Sequence, residues 1–173
     1  IEYISFAVVD VSTDKFFVNT VKTQDFLSII EQYSPKEVLI PSKYEDSDWF
    51  KSVKLYIDGH VTVLPDVKFN KIAEERRLLN YYQVATLESF GIEIDSEISA
   101  CGSIVEYITV TQCTNKQQLS KPTKISQTKF MIIDAATHRN LEIVHGQNGR
   151  NNTLFQCLDE TVTAFGGRCL GSR

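Results

Sequence analysis

The sequence predicts a mixed α/β fold, and three observations carry the prediction. Apolar runs of strand length alternate with amphipathic stretches at helical spacing. The first two runs are separated only by the turn Ser12-Thr13-Asp14, which makes them an antiparallel hairpin. Later runs are closed by Pro41 and Pro65, and helical patterning follows each. That order feeds a partly parallel mixed sheet with helices on both faces.

Taken in order, Tyr3 to Val11 alternates and ends in the run ISFAVVDV, suited to a central strand. Lys15 to Val21, KFFVNTV, is the second strand. Thr23 offers a hydroxyl to cap a helix whose Phe26, Leu27, Ile29, Ile30 and Tyr33 share one face. Ser34-Pro35 stops it, because the residue before a proline is pushed out of helical backbone. Glu37 to Ile40 is a third strand, Tyr44 to Lys54 a short helix around Trp49 and Phe50, and Val61 to Leu64 a fourth strand.

Phe69 to Tyr82 reads as an amphipathic helix with Phe69, Ile72, Ala73, Leu78, Leu79 and Tyr82 inward. Its outward side carries Glu74, Glu75, Arg76 and Arg77. After a turn-rich join at Thr86 to Gly91, Ser96 caps a last helix with Glu97 in its first turn. Ile98, Cys101, Val105, Ile108 and Gln112 trace one face of that helix. The polar stretch Asn115 to Pro122 reads as a linker. The order β-β-α-β-α-β-α-α, followed by a smaller mixed piece, resembles a ribonuclease H-like sheet.

At 173 residues the chain can bury one core, or one core plus an appendage. Its 42% hydrophobic and 23% charged content is that of an ordinary soluble globular protein. No apolar run approaches the roughly 20 residues of a membrane span. No basic-then-apolar leader opens the chain, and no membrane partner is expected. The missing initiator Met, and a last stretch, Gly166 to Arg173, that stops as a helix is starting, lead us to expect a piece of a larger protein. Cysteines 101, 113, 157 and 169 form no C-x-x-C pair and no zinc-like cluster, so reduced thiols and a cytosolic setting are expected.

Charge is unevenly divided. Residues 1–120 hold 11 Lys+Arg against 18 Asp+Glu, a balance of −7. Residues 121–173 hold 7 against 4, a balance of +3. The first balance repels phosphate, so strong DNA binding by that segment is excluded. The step suggests a boundary, with one domain at 1–119 and a second, truncated one at 120–173.

Between Phe130 and Val144 runs FMIIDAATHRNLEIV: a short buried strand, a turn that Asp134 can cap, then a polar helical stretch. Asp134, Thr137, Arg139, Asn140, Leu141 and Glu142 match a D-x-x-T-x-R-N-L-E-[LI] pattern. Asn152, Thr153, Leu154, Leu158, Asp159, Thr161, Thr163, Gly166, Arg168 and Leu170 match an N-[TS]-L, L-D, T-x-T-x-x-G-x-R-x-L pattern. Both patterns resemble the start of the core domain of the MutS family of DNA mismatch-recognition ATPases. Upstream, Ser89-Phe90-Gly91, the stretch Ala100 to Tyr107, and Thr111-Gln112 are similar to that family's connector domain.

The resemblance covers essentially the whole chain and carries expectations. Residues 1–119 are expected to be the ribonuclease H-like connector. Residues 120–173 are expected to be the first part of the core, or lever, domain. The family's ATPase uses ATP and Mg, but the G-x-x-x-x-G-K-[ST] loop is absent here, as is the N-terminal wedge that reads mismatches. The resemblance thus implies a piece without catalytic, cofactor or metal residues. The parent would bind mismatched double-stranded DNA, pair with a second copy, and act in the bacterial cytoplasm at the nucleoid. The connector would turn as a rigid body about a hinge near Asn115 to Pro122 and dock MutL, with Glu74, Glu75, Arg76 and Arg77 as the contact face. Asp134, Thr137, Arg139, Asn140, Glu142, Thr161, Gly166 and Arg168 would be structural motif residues; Arg139 could pair with Asp134 or Asp159.

Two other readings compete. Asp10 ends the first strand, where ribonuclease H-like nucleases hold a metal, and Asp58, Asp66, Glu88 and Asp95 are conceivable partners for a two-metal site. The plainer role for Asp10 is to bond its own turn. The other reading is a structural joint with no partner surface.

Overall fold

The structure, a computed structural model, describes residues 2–111, 119–125, 137, 140–143 and 152–171. The chain divides into two compact units, residues 1–10 with 14–125, and residues 11–13 with 126–173.

The first unit is built on a hairpin. Strands β1 (Tyr3–Asp10) and β2 (Lys15–Lys22) pair antiparallel along their whole length, from Tyr3 opposite Lys22 to Asp10 opposite Lys15. Asp14 closes the turn with φ of 53°, a left-handed conformation that Asp tolerates better than most residues. Side chains alternate across the hairpin. Phe16 and Val18, with Ala7 and Val9 opposite them, enter one core; Val21 and Phe6, with Ile4 and Val8, enter another.

Each core has its own helices. Helices α1 (Phe26–Tyr33) and α2 (Asp48–Lys54) bring Phe26, Ile30 and Val53 to the Phe6 side. There Phe6, Phe26 and Trp49 stack edge to face at 6.0 and 5.7 Å. Helices α3 (Lys71–Tyr82) and α4 (Asp95–Thr111) bring Leu78, Tyr82, Ile98, Cys101 and Val105 to the Phe16 side. The expected coverage of both faces is therefore seen on this hairpin. Burial pushes the Cys101 thiol up, and Cys101 and Cys157 are free thiols.

Strands β3 (Glu37–Pro41) and β4 (His60–Leu64) pair in parallel, as alternation with helices requires. The ladders among the described residues form two sets, β1-β2-β5 and β3-β4. Alternation with helices sets strand direction but not which strand lies beside which. The two-residue β5 (Thr123–Lys124) adds in parallel to β2 through Phe17 opposite Thr123 and Val18 opposite Lys124. It was not foreseen, because two polar residues carry no strand pattern.

Three local expectations are corrected. Thr23 opens a 3₁₀ turn, Thr23–Asp25, instead of capping α1. Ser96 lies inside the first turn of α4, which already begins at Asp95. Phe69 ends a separate 3₁₀ turn, and Asn70 caps α3 by accepting a bond from Ala73 N at 3.2 Å. Asn70→Ala should therefore lower stability by about 1 kcal/mol, read as a fall in the urea midpoint with unchanged slope.

Asn115 to Pro122 is expected to be a polar linker, and Leu119 to Pro122 are its described residues. Leu119 and Pro122 are instead buried, and the first unit continues to Ile125. Residues 112–118, which include the linker's first part and Cys113, lie outside the described residues.

In the second unit, α5 (Leu154–Leu158) is capped by Thr153, whose hydroxyl accepts from Gln156 N at 3.2 Å. Leu154 N and Phe155 N donate to the carbonyls of Glu142 and Ile143. Helix α6 (Ala164–Gly171) begins beside Thr163, whose hydroxyl accepts from Gly166 N at 3.0 Å. The strand expected at Phe130 to Ile133 lies outside the described residues.

Candidate functional site

The expected contact face sits on α3, but its four residues do not share one surface. Glu74 is buried, with 1% of its surface exposed; Glu75 is half-buried, and Arg76 is exposed. Ile72, expected inward, is 76% exposed. The helix is turned because α4 passes close to it at Gly102. A Cβ at Gly102 would stand 2.6 Å from Glu74 Oε2 and 2.9 Å from Glu74 Cα.

Arg77 supports the buried carboxylate. Its guanidinium pairs with Glu74 Oε2 through one nitrogen and with Glu106 Oε1 at 3.0 Å through the other. Lys68 Nζ meets the same Glu106 oxygen at 2.5 Å. Burial pushes the Glu74 carboxyl above the usual carboxylate range, against the pull of Arg77. Arg77 therefore ties α3 to α4 through Glu106, and Glu74 packs against Gly102, roles that an outward reading of the EERR run missed. The isolated Gly102 inside a helical pattern was the available signal.

Beside this network lies a groove of ≈ 570 Å³ between the two helices. Arg76, Asn80 and Tyr81 line it from α3, and Val105, Thr109 and Val110 from α4. Val110 is 64% exposed, and Arg76 has no ionic partner among the described residues. The groove thus offers an apolar floor with one available guanidinium at its rim, a combination suited to a partner surface that brings a carboxylate.

A second cavity of ≈ 470 Å³ opens over Ser5, Thr20, Ser96, Glu97 and Lys124. Glu97 is wholly buried and accepts from Thr20 Oγ1 at 2.8 Å and Lys124 Nζ at 3.1 Å. Ser5 Oγ bonds both Thr20 Oγ1 and Ser96 Oγ at 2.7 Å. The polar chain joins β1, β2, α4 and β5.

The carboxylates of the nuclease reading are dispersed. Asp58 meets Lys36 at 3.9 Å, Asp66 accepts from Ser42 and Lys43, Glu88 starts a 3₁₀ turn, and Asp95 pairs with Lys71 at 3.0 Å. Asp10 stands opposite Lys15 in the hairpin. Among the described residues no three His, Cys, Asp or Glu side chains are grouped to hold a metal, and no helix is long and apolar enough to cross a membrane.

Of the second motif set, Thr161 donates through both its hydroxyl, at 2.6 Å, and its amide to Asp159. Gly166 lies against Thr161 and Thr163, where a Cβ would meet Thr161 Cβ at 3.1 Å. Arg168 is in the last turn of α6. Thr137 and Asn140 are exposed, and Glu142 has φ of 48°. Asp134 and Arg139, and so the pair proposed for Arg139, lie outside the described residues.

Together these features define an α/β module with an open helix–helix groove and polar bonds fastening its last strand. A family model described as MutS domain II matches residues 2–122. Proteins named DNA mismatch repair protein MutS align along nearly the whole chain. The one from Ehrlichia chaffeensis is 36% identical over 165 residues, 95% of this chain and 20% of the relative. The one from Thermodesulfovibrio yellowstonii is 37% identical over 172 residues, 96% of this chain and 19% of the relative. The chain belongs to the MutS family, and it spans about a fifth of the length of these curated relatives.

Proposed function

We propose that this chain is the connector and the start of the core of a DNA mismatch-repair protein, and that its α3–α4 groove receives MutL. The match of residues 2–122 to MutS domain II carries the first part. Arg76 at the rim of an open groove supports the second. Helices on both faces of the β1–β2 hairpin agree with a ribonuclease H-like connector at about residues 1–119. Residues from about 120 to 173 would begin the lever.

On this reading the piece performs no chemistry. ATP and Mg act elsewhere in the parent, whose other domains grip mismatched DNA and join a second copy, in the cytoplasm at the nucleoid. The connector swings as a rigid body when nucleotide binds. Its pivot lies outside residues 119–125, which are fastened to the first unit.

Crosslinking the 173-residue chain to the ATP-bound N-terminal domain of a MutL protein tests the docking. Arg76→Glu should cut the yield about tenfold, the loss of roughly 1.4 kcal/mol, with the melting temperature unchanged. Unchanged yield would remove the groove as the docking site. Arg77→Glu is unsuitable as a probe, because it strips Glu74 of its partner.

A further inference from the structure

Tyr81 belongs to two structures at once. Its ring lines the α3–α4 groove, and its hydroxyl accepts a bond from Leu119 N at 2.9 Å. The next residue, Tyr82, donates its hydroxyl to the carbonyl of Ser120 at 2.9 Å. The two rings meet edge to face at 4.9 Å. Consecutive helix residues thus grip consecutive residues of the exit segment, Leu119 to Ile125.

Further fastenings run along that segment. Ser120 donates through its amide at 2.8 Å and its hydroxyl at 2.6 Å to Asp14. Lys121 lies over the Phe90 ring at 5.4 Å, Lys124 pairs with Glu97, and Ile125 N donates to Val18 O at 3.1 Å. Among the described residues the ladder itself has two residue pairs. A strand so short depends on its flanking bonds, and the tyrosines hold the upstream end.

We propose that Tyr81 and Tyr82 form a latch through which occupancy of the α3–α4 groove controls how firmly residues 119–125 are held. A group seated in the groove displaces the Tyr81 ring, the Leu119 bond breaks, and the strap loosens from its upstream end. The inference rests on the groove being a docking site, and it gives that site a route to the segment that leads into the second unit.

Amide hydrogen exchange on the 173-residue chain tests it, with the interior amides of α4 as the control for folding. Tyr81→Phe and Tyr82→Phe keep both rings and remove the hydroxyls. Each should speed exchange at Leu119 about fivefold, and the double variant should also speed Ile125, leaving the β1–β2 ladder unchanged. Thr109→Trp fills the groove from α4 without touching the strap. It should speed Leu119 in the natural background, speed Ile125 as well once Tyr82 is Phe, and add nothing once Tyr81 is Phe. Unchanged exchange at Leu119 in Thr109→Trp, with α4 protected, overturns the latch. Faster Leu119 with unchanged Ile125 in the double tyrosine variant overturns it too, since the tyrosines would then hold one residue only. Because no partner is added, failure here is separable from failure of the MutL crosslink.

Discussion

Gly102→Ala should cost about 3 kcal/mol and lower the melting temperature by roughly 10 °C. The new methyl would lie within 2.6 Å of Glu74 Oε2 and 2.9 Å of Glu74 Cα. A flexible side-chain end could swing away, but a Cα cannot, so α3 and α4 must separate. Separation pulls Arg77 from Glu106 and opens the packing around Leu78, Cys101 and Val105, which are almost wholly buried. Overpacking alone costs about 1 to 3 kcal/mol, and loss of the partly buried Arg77–Glu106 pair adds to it. A double-mutant cycle separates the two contributions. With Glu74→Ala the carboxylate end of the clash is gone, so Gly102→Ala should cost less in that background. A neutral Gly102→Ala would mean that the helices do not approach so closely.

The order of elements in the first unit was legible because each was written in period. The alternation of β1 and β2 anticipates two cores, and Phe26 with Ile30 fits the buried side of α1. What could not be read was decided by neighbours. Glu74, in a run of four charges, looks solvated until Gly102 is known to lie against it. Glu97 and Cys101 stand four apart on one face of α4, so an inward Glu97 was inferable, but its partner Lys124 comes from a strand of two polar residues. The exit segment was misjudged for the same reason: Leu119 and Pro122 are buried, and Ser120 and Lys124 spend their polar groups on Asp14 and Glu97. The candidate groove was half visible, since Arg76 was singled out while Tyr81, Thr109 and Val110 carried no signal before α3 and α4 were brought together.

Lys124→Met should cost about 3 kcal/mol at pH 7. The cost is asymmetric between the two partners. Lys124 is about a third exposed and can turn to water, whereas Glu97 is wholly buried. Removing the lysine leaves a charged carboxylate with the Thr20 hydroxyl as its remaining described donor. Glu97→Gln should be milder, at about 1 kcal/mol, because it leaves no buried charge. Asp14, Glu37 and Asp159 are held low by hydrogen bonds, so both proteins should lose stability as pH falls through the acid range, and that loss cancels in the difference. Urea melts of the two proteins at pH 7 measure the gap. A gap near zero would mean that water reaches Glu97, and that β5 is fastened by its ladder and the Asp14–Ser120 bonds without help from the buried ion pair.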